Sequence, residues 1–167
     1  MRTISQKLVA LLAALALLLT IGLTPTSAVE LVPFKAKAAG SFVFNADNSG
    51  LQLTSAGNAS FLGAMTSRSE ITFTGPSTTC ADGFAITERQ TMTSSDTGET
   101  ITTAVVGEAC PTATPGVYQI SGPFTVTGGT GRFAGASGAG FALCFGDFTT
   151  NTYDFTLQGN ISRPGSR

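Results

Sequence analysis

Glu88 is the residue of this sequence whose type and surroundings come closest to supporting chemistry. In the segment that begins at Phe84, every second residue would share one face of a β-strand, and that face carries Phe84, Ile86, Glu88, Gln90 and Met92. Three of these five residues are apolar, so the face is predicted to point into the protein. A carboxyl group in apolar surroundings has a raised pKa, which suits it to transfer a proton or to anchor a ligand.

The orientation of Glu88 has alternatives that the sequence leaves open. A register shift of one residue would turn the Glu88 side chain outward, where it would be a solvated group near Arg68 or Arg89. Alternatively, Glu88 could lie at the mouth of a barrel. A second face of alternate residues, which includes Tyr118, is also apolar and would add a phenol to the interior. We therefore expect one ligand-lining set, with Glu88 as the single candidate for catalysis. The set consists of Glu88, Gln90, Tyr118, Phe84 and Met92.

The composition excludes the commonest catalytic machinery. The chain has 167 residues and no histidine, which removes Ser/His/Asp and Cys/His triads and metal sites built on histidine. Its aspartates lie at predicted turns and strand ends without the spacing of a calcium-binding loop, so we expect neither a metal nor another cofactor. Nine basic and ten acidic residues leave no basic surface for nucleic acid, which we do not expect as a partner.

Three cysteines, Cys80, Cys110 and Cys144, predict one disulfide and one free thiol. In a hairpin formed by residues 83–93 and 100–108, with its turn near Asp96, residues lie opposite each other when their numbers sum to about 192. Cys80 and Cys110 sum to 190, so we expect them to pair at the open base of this hairpin. Cys144 lies in a strand context that predicts a buried, inert thiol, and no histidine is present to activate it.

A glycine-rich segment, residues 127–138, has only a superficial likeness to a phosphate-binding loop. It lacks the Lys-Ser/Thr pair of a P-loop and precedes a strand instead of a helix, so phosphate binding is not expected. We expect instead a bulge and a tight turn in which glycines adopt positive φ, Phe133 closes one end of a barrel, and Arg132 bonds carbonyl groups of the turn. The residues of this glycine turn are Gly128, Gly129, Gly131, Phe133 and Gly135.

The elements that must position these residues are strands. Apolar and polar residues alternate after residue 28, and glycine, serine and threonine are abundant, which favours an all-β fold. Eight segments separated by turn signals fit a barrel or a sandwich, and we favour the barrel because closure removes edge strands. The predicted strands are residues 40–46, 51–55, 60–75, 83–93, 100–108, 117–128, 138–148 and 153–162.

The N-terminus has the composition of a secretory signal peptide. Arg2 and Lys7 precede an apolar run that is shorter than the ~20 residues of a membrane-spanning helix, so we expect no membrane span. Cleavage after Ala28 would leave seven basic and ten acidic residues, a net charge of −3, on a protein secreted to the extracellular space or the periplasm. The predicted organisation is a signal peptide at 1–28, an N-terminal extension at 29–39, one barrel domain at 40–162 and a C-terminal tail at 163–167.

The glycine turn also carries a resemblance to a known family. Its sequence, GGTGRFAGASG, is similar to the signature turn GG(S/T)GxF of allene oxide cyclase and the plant dirigent proteins, and resembles more closely the small secreted bacterial proteins of the allene oxide cyclase barrel-like group. Residues 56–63, 95–98 and 157–162 fit further pieces in order, so the resemblance covers about residues 34–162. It implies an eight-stranded, antiparallel up-and-down barrel of calycin-like shape with a hydrophobic interior. The charged positions of the dirigent motif are here Ala134, Ala136 and Ser137.

These observations lead us to expect a secreted, non-catalytic barrel that holds a small hydrophobic molecule in its interior. One alternative is an isomerase or cyclase, or a dirigent-type stereo-directing protein, that acts on a hydrophobic intermediate with help from Glu88 or Tyr118. Another is a structural or cell-surface protein whose interior is filled by its twelve phenylalanines. The interior volume separates them, because a ligand needs a cavity of roughly 300 Å³ or more that is open at one end.

Overall fold

Eight antiparallel strands, each paired with its neighbours in sequence, close into an up-and-down barrel in the computed structural model, which describes residues 29–165. The predicted signal peptide, residues 1–28, lies outside the described residues. The strands are β1 (Leu31–Phe44), β2 (Gly50–Ala59), β3 (Gly63–Pro76), β4 (Phe84–Ser94), β5 (Thr100–Pro111), β6 (Val117–Gly129), β7 (Gly138–Asp147) and β8 (Thr152–Ser162). A short 3-10 helix, Gly131–Phe133, lies between β6 and β7.

Alternation along each strand divides the side chains between the core and the outer wall. On β3, for example, Met65, Ser67, Ser69 and Ile71 are buried, whereas the residues between them are exposed. Pairing of β8 with β1 completes the ring, so no strand presents a free edge, as the composition predicts. The core is therefore one continuous cluster inside the barrel, built from Phe, Ile, Leu, Met and Ala side chains.

The first strand is longer than the sequence indicated. It begins at Leu31, so the predicted extension at residues 29–39 is wrong, and most of that segment pairs with β8 and β2. Phe34, Ala36 and Ala38 are buried there. The residues between them are Lys35 and Lys37, so apolar and charged side chains alternate in this segment and the sequence does carry the signal of a strand.

One end of the barrel, formed by the loops 60–62, 95–99 and 130–137, is closed. Phe133 is fully buried there, and the glycine turn has the predicted positive φ at Gly128, Gly131 and Gly135 but not at Gly129. The predicted bulge is present where β5 and β6 change register between Thr102 and Thr103.

The sequence predicts that the Arg132 side chain bonds carbonyl groups of its own turn, and this prediction is wrong. Its guanidinium instead forms an ion pair with Glu99 at 2.8 Å, and it donates a hydrogen bond to the carbonyl of Phe61 at 3.3 Å. The Arg132 guanidinium thus bonds residues of two neighbouring loops. It thereby ties the three loops of the closed end together.

The opposite end is formed by the loops 45–49, 77–83, 112–116 and 148–151, and we call it the aromatic end. The predicted disulfide is present there, with the Cα atoms of Cys80 and Cys110 5.9 Å apart. It connects the loop 77–83 to the end of β5. Cys144 is a free thiol.

Candidate functional site

The barrel brings Glu88 to its inner face. Glu88 lies opposite Ile71 on β3 and Val105 on β5, both of which are buried, so the interior register is the one the structure adopts. Gln90 and Met92 follow on the same face and are buried. Glu88 itself is partly buried because it borders a small cavity at the centre of the barrel.

Several polar side chains besides Glu88 are buried inside the otherwise apolar barrel. The Thr103 hydroxyl donates a hydrogen bond of 3.5 Å to the Gln90 side-chain carbonyl. Four further buried hydroxyl groups in the described part of the chain have no hydrogen-bond partner; they belong to Ser55, Ser67, Ser69 and Tyr153. The alternation of buried and exposed positions marks the three serines in the sequence, because each occupies an inward position of its strand.

The central cavity is too small for an organic ligand. It offers about 20 Å³ to the centre of a water molecule, which is room for one water. Apolar residues such as Ile120, Phe155 and Leu157 form most of its wall, and Glu88, Gln90, Cys144 and Tyr153 add polar atoms. The interior thus falls far below the roughly 300 Å³ that a small-molecule site needs.

Burial shifts the titration of the groups at this cavity. Removal from water raises the pKa of Glu88 from its usual 4.5 to about 7. The Ser69 hydroxyl lies close enough to oppose this shift in part, although it lacks the geometry of a hydrogen bond. Burial also raises the pKa of Tyr153 to about 12, and it raises the pKa of Cys144 well above its usual range. The negative charge of Glu88 adds to both shifts. At neutral pH Cys144 is therefore a protonated, unreactive thiol, as the sequence predicts.

At the aromatic end, six ring side chains form a continuous chain of contacts that we call the aromatic rim. The members are Phe42, Phe44, Phe73, Phe84, Tyr118 and Phe148. Phe73 and Phe84 lie 5.3 Å apart between ring centroids, Phe84 and Tyr118 6.3 Å, and Tyr118 and Phe148 5.0 Å. These are favourable distances for aromatic pairs, which hold the rings in place.

The rim borders a concave cleft of about 640 Å³ that is open to solvent. Phe84 is 42% exposed and Phe44 45% exposed, so ring surface remains in contact with water. The lining residues are Phe73, Gly75, Pro76, Asp82, Gly83, Phe84 and Tyr118. Of the predicted ligand-lining set, the structure therefore places Phe84 and Tyr118 at this cleft, Glu88 and Gln90 at the inner cavity, and Met92 in the core.

Glu108 fixes one side of the cleft by holding the loop 77–83. Its carboxylate accepts hydrogen bonds from the hydroxyls of Ser77, Thr78 and Thr79 and from the amides of Thr78 and Thr79. The Ser77 and Thr79 hydroxyls contribute most to lowering the pKa of Glu108 to about 2, so the group is charged at neutral pH. Together with the disulfide it presents Asp82 and Gly83 to the cleft.

The described residues include one group that resembles a metal site by distance alone. Cys80, Glu108 and Cys110 each offer an atom within 4.8 Å of the others, but both sulfur atoms are used in the disulfide. They therefore lack the thiolates that would bind a metal. No helix within residues 29–165 is long and apolar enough to cross a membrane.

The arrangement offers two chemically different environments. The inner cavity combines a raised-pKa carboxyl group with the unpartnered hydroxyl of Tyr153 in a space for one water. The outer cleft offers aromatic surface in a space of the size that a small organic molecule occupies. Comparison of the chain with protein-family models, with curated proteins and with solved structures gives no match in any of the three.

Proposed function

We propose that this protein is a secreted, non-catalytic binding protein that holds a small hydrophobic molecule at the aromatic end of its barrel. The observation that carries the proposal is the cleft of about 640 Å³ lined by Phe73, Phe84 and Tyr118. Its volume lies in the range of small-molecule sites. The interior, in which the sequence led us to expect the ligand, has room for about one water.

The energy for binding would come from the exposed ring surface. Each Å² of apolar surface that a ligand removes from water contributes about 25 cal/mol. The rings are held in position by their neighbours in the rim, so little side-chain entropy would be lost when a ligand covers them. Such a preformed apolar surface favours a flat or compact apolar molecule.

Export of the protein is part of the proposal. The N-terminal segment has the order of a charged region, an apolar run and small residues that is typical of a signal peptide. The disulfide between Cys80 and Cys110 is of the kind that persists in oxidising compartments. Both observations agree with the resemblance of the glycine turn to small secreted barrel proteins.

A structural role is the second candidate, and the filled interior favours it. The isomerase or cyclase alternative, with Glu88 or Tyr118 assisting, finds no support at Glu88, because the cavity beside Glu88 admits about one water. The binding and structural candidates differ in one respect, since a purely structural protein needs no saturable site at the aromatic end.

Titration with the neutral fluorophore Nile red tests the proposal. We expect saturable binding, and we expect Phe84→Ala to weaken it about 5- to 30-fold, equivalent to about 1–2 kcal/mol. Phe141→Ala is the matched control, because Phe141 is a similarly exposed phenylalanine, 55% against 42%, on the outer wall of β7. Phe84→Leu keeps an apolar side chain without the ring and guards against misfolding of the alanine variant.

Two results would overturn the proposal. One is the absence of saturable binding to a protein whose thermal unfolding shows that it is folded. The other is an equal loss of affinity in Phe84→Ala and Phe141→Ala, which would show that the dye reports apolar surface in general. Either result would leave the structural role as the better account.

A further inference from the structure

Charge is distributed unevenly between the two ends of the barrel. In the described chain, the four loops of the aromatic end contain no lysine or arginine. Six basic residues lie instead on the strand walls or at the closed end; they are Lys35, Lys37, Arg68, Arg89, Arg132 and Arg163. Four carboxylates lie in or beside the loops of the aromatic end; they are Asp47, Asp82, Glu108 and Asp147.

Hydrogen bonds from residues in the loops of the aromatic end keep three of these carboxylates ionised. Hydrogen bonds from Ser49 lower the pKa of Asp47, and hydrogen bonds from Thr149 lower that of Asp147. The hydroxyls around Glu108 have the same effect on that group. The aromatic end therefore remains negative throughout the neutral pH range.

Asp82 is the charged residue that lines the cleft itself. It is exposed, and neither of the two ion pairs formed within residues 29–165 includes it. Its backbone has a φ of 57°, and the adjacent Gly83 also lines the cleft. An acidic residue is thus part of the lining of a concave aromatic surface.

Three aromatic rings line the cleft together with Asp82; they belong to Phe73, Phe84 and Tyr118. Phe84 is 42% exposed, so part of its ring is open to a ligand. The face of an aromatic ring carries the negative part of its quadrupole. Ring faces and a carboxylate attract the same class of ligand, a cation.

We propose that the aromatic cleft selects small organic cations, in particular alkylammonium or quaternary ammonium groups, which pack on Phe73, Phe84 and Tyr118 with Asp82 as the counter-charge. This inference rests on the proposed function and specifies its ligand. A neutral molecule of the same shape gains the apolar contact without the attraction to the rings and to Asp82. A carboxylate ligand is repelled by the negative end of the barrel.

Three probes of equal shape and different charge test the selectivity. They are choline, its neutral counterpart 3,3-dimethyl-1-butanol and the anion 3,3-dimethylbutanoate. Each is titrated into the protein at low ionic strength, where exposed charges act most strongly, and binding is followed by NMR at the ring signals of Phe84 and Tyr118. We expect choline to bind about 5-fold or more tightly than the alcohol, and the anion to bind most weakly.

Asp82→Asn isolates the contribution of the carboxylate. Asparagine tolerates the same left-handed backbone conformation, so this variant removes the charge without straining the loop. We expect the preference for choline over the alcohol to fall by about half or more, because the alcohol carries no charge for the carboxylate to attract and so loses less affinity than choline. Asp96→Asn is the matched control, since it removes one exposed carboxylate at the closed end and should leave the preference intact.

The outcomes separate this inference from the proposed function. If all three probes move the ring signals with equal affinity, or if the anion binds best, the cation selectivity is wrong and the binding function stands. If Asp82→Asn and Asp96→Asn change the preference equally, Asp82 is not the counter-charge and the proposed site is wrong. If none of the probes and no Nile red binds to the folded protein, the binding function fails together with the inference.

Discussion

Glu88 shows how position in the barrel decides the character of a single residue. The side chain faces a cavity whose wall is mostly apolar, and burial raises its pKa to about 7. The inference from alternation along β4 was sufficient to predict the interior placement and the direction of the pKa shift. It could not show that the space beside Glu88 has room for only one water, because free volume depends on how side chains from every strand meet.

The titration of Glu88 predicts a pH dependence of stability. Its pKa is raised from 4.5 in the unfolded chain to about 7, so the folded state binds the proton more tightly. The associated stabilisation is complete below about pH 4.5 and is lost as the pH rises through about 7, a decrease of about 3 kcal/mol in the free energy of unfolding. Urea unfolding between pH 4.5 and 8 measures it.

Glu88→Gln is the control for this dependence. The amide stays neutral, so the stability of the variant should change little over the same range and exceed that of the native protein at pH 8. The sequence contains no histidine, so no imidazole titration overlaps the window. Parallel pH profiles for the two proteins would contradict the interior, raised-pKa account of Glu88.

At the scale of the strand, Gly40 is a position where the backbone of a neighbouring strand leaves no room for a side chain. It lies opposite Ser55 on β2 and Tyr153 on β8, and a Cβ atom there would be 1.9 Å from the carbonyl oxygen of Thr54. A backbone atom cannot move aside as a flexible side chain can. The close approach of β1 to β2 therefore requires glycine at this position.

We expect Gly40→Ala to lower the free energy of unfolding by about 3 kcal/mol or more. Gly146→Ala is the control, because Gly146 is a strand glycine that is more buried than the half-buried Gly40, and a Cβ atom there would meet its nearest neighbour, the Phe148 ring, at 3.5 Å. The control should change stability by less than about 1 kcal/mol. Chemical denaturation of both variants measures the difference, and equal effects would show that β1 does not pack as described.

The loop 77–83 is held by two independent devices, the disulfide and the hydrogen bonds to Glu108. Replacing both Cys80 and Cys110 by alanine should lower the free energy of unfolding by about 3 to 4 kcal/mol, since the bond closes a loop of 30 residues. Thermal or urea unfolding measures the loss. Adding a reductant to the double variant should have no further effect, and an unchanged stability would mean that the bridge does not constrain the chain.

The sequence predicted the strands better than the site because the two depend on different information. Alternation shows which side of a strand a residue faces, and it correctly placed Glu88, Gln90 and Met92 on the inner face of β4. It does not show the height of a residue along the barrel axis. Phe84 and Tyr118 lie at the end of the barrel, where the rim also includes Phe148 from a loop that has no periodic pattern.

At the scale of the whole molecule, the barrel has two different ends. Phe133 and the ion pair of Arg132 with Glu99 seal one end, whereas the other presents aromatic rings and carboxylates to solvent. Because the interior has room for about one water, an organic ligand has only outer surfaces available. Among the outer clefts, the one at the aromatic end is the one lined by Phe73, Phe84 and Tyr118. The central claim is therefore that a ligand binds at the aromatic end and not inside the barrel.

A ¹H–¹³C NMR titration with toluene tests this claim most directly, because one experiment observes both locations. The ring signals of Phe73, Phe84 and Tyr118 report on the cleft, and the methyl signals of the buried Met65 and Met92 report on the interior. We predict saturable shifts of the ring signals with the methionine methyls unchanged. Saturable shifts of the methionine methyls while the ring signals stay fixed would contradict the account.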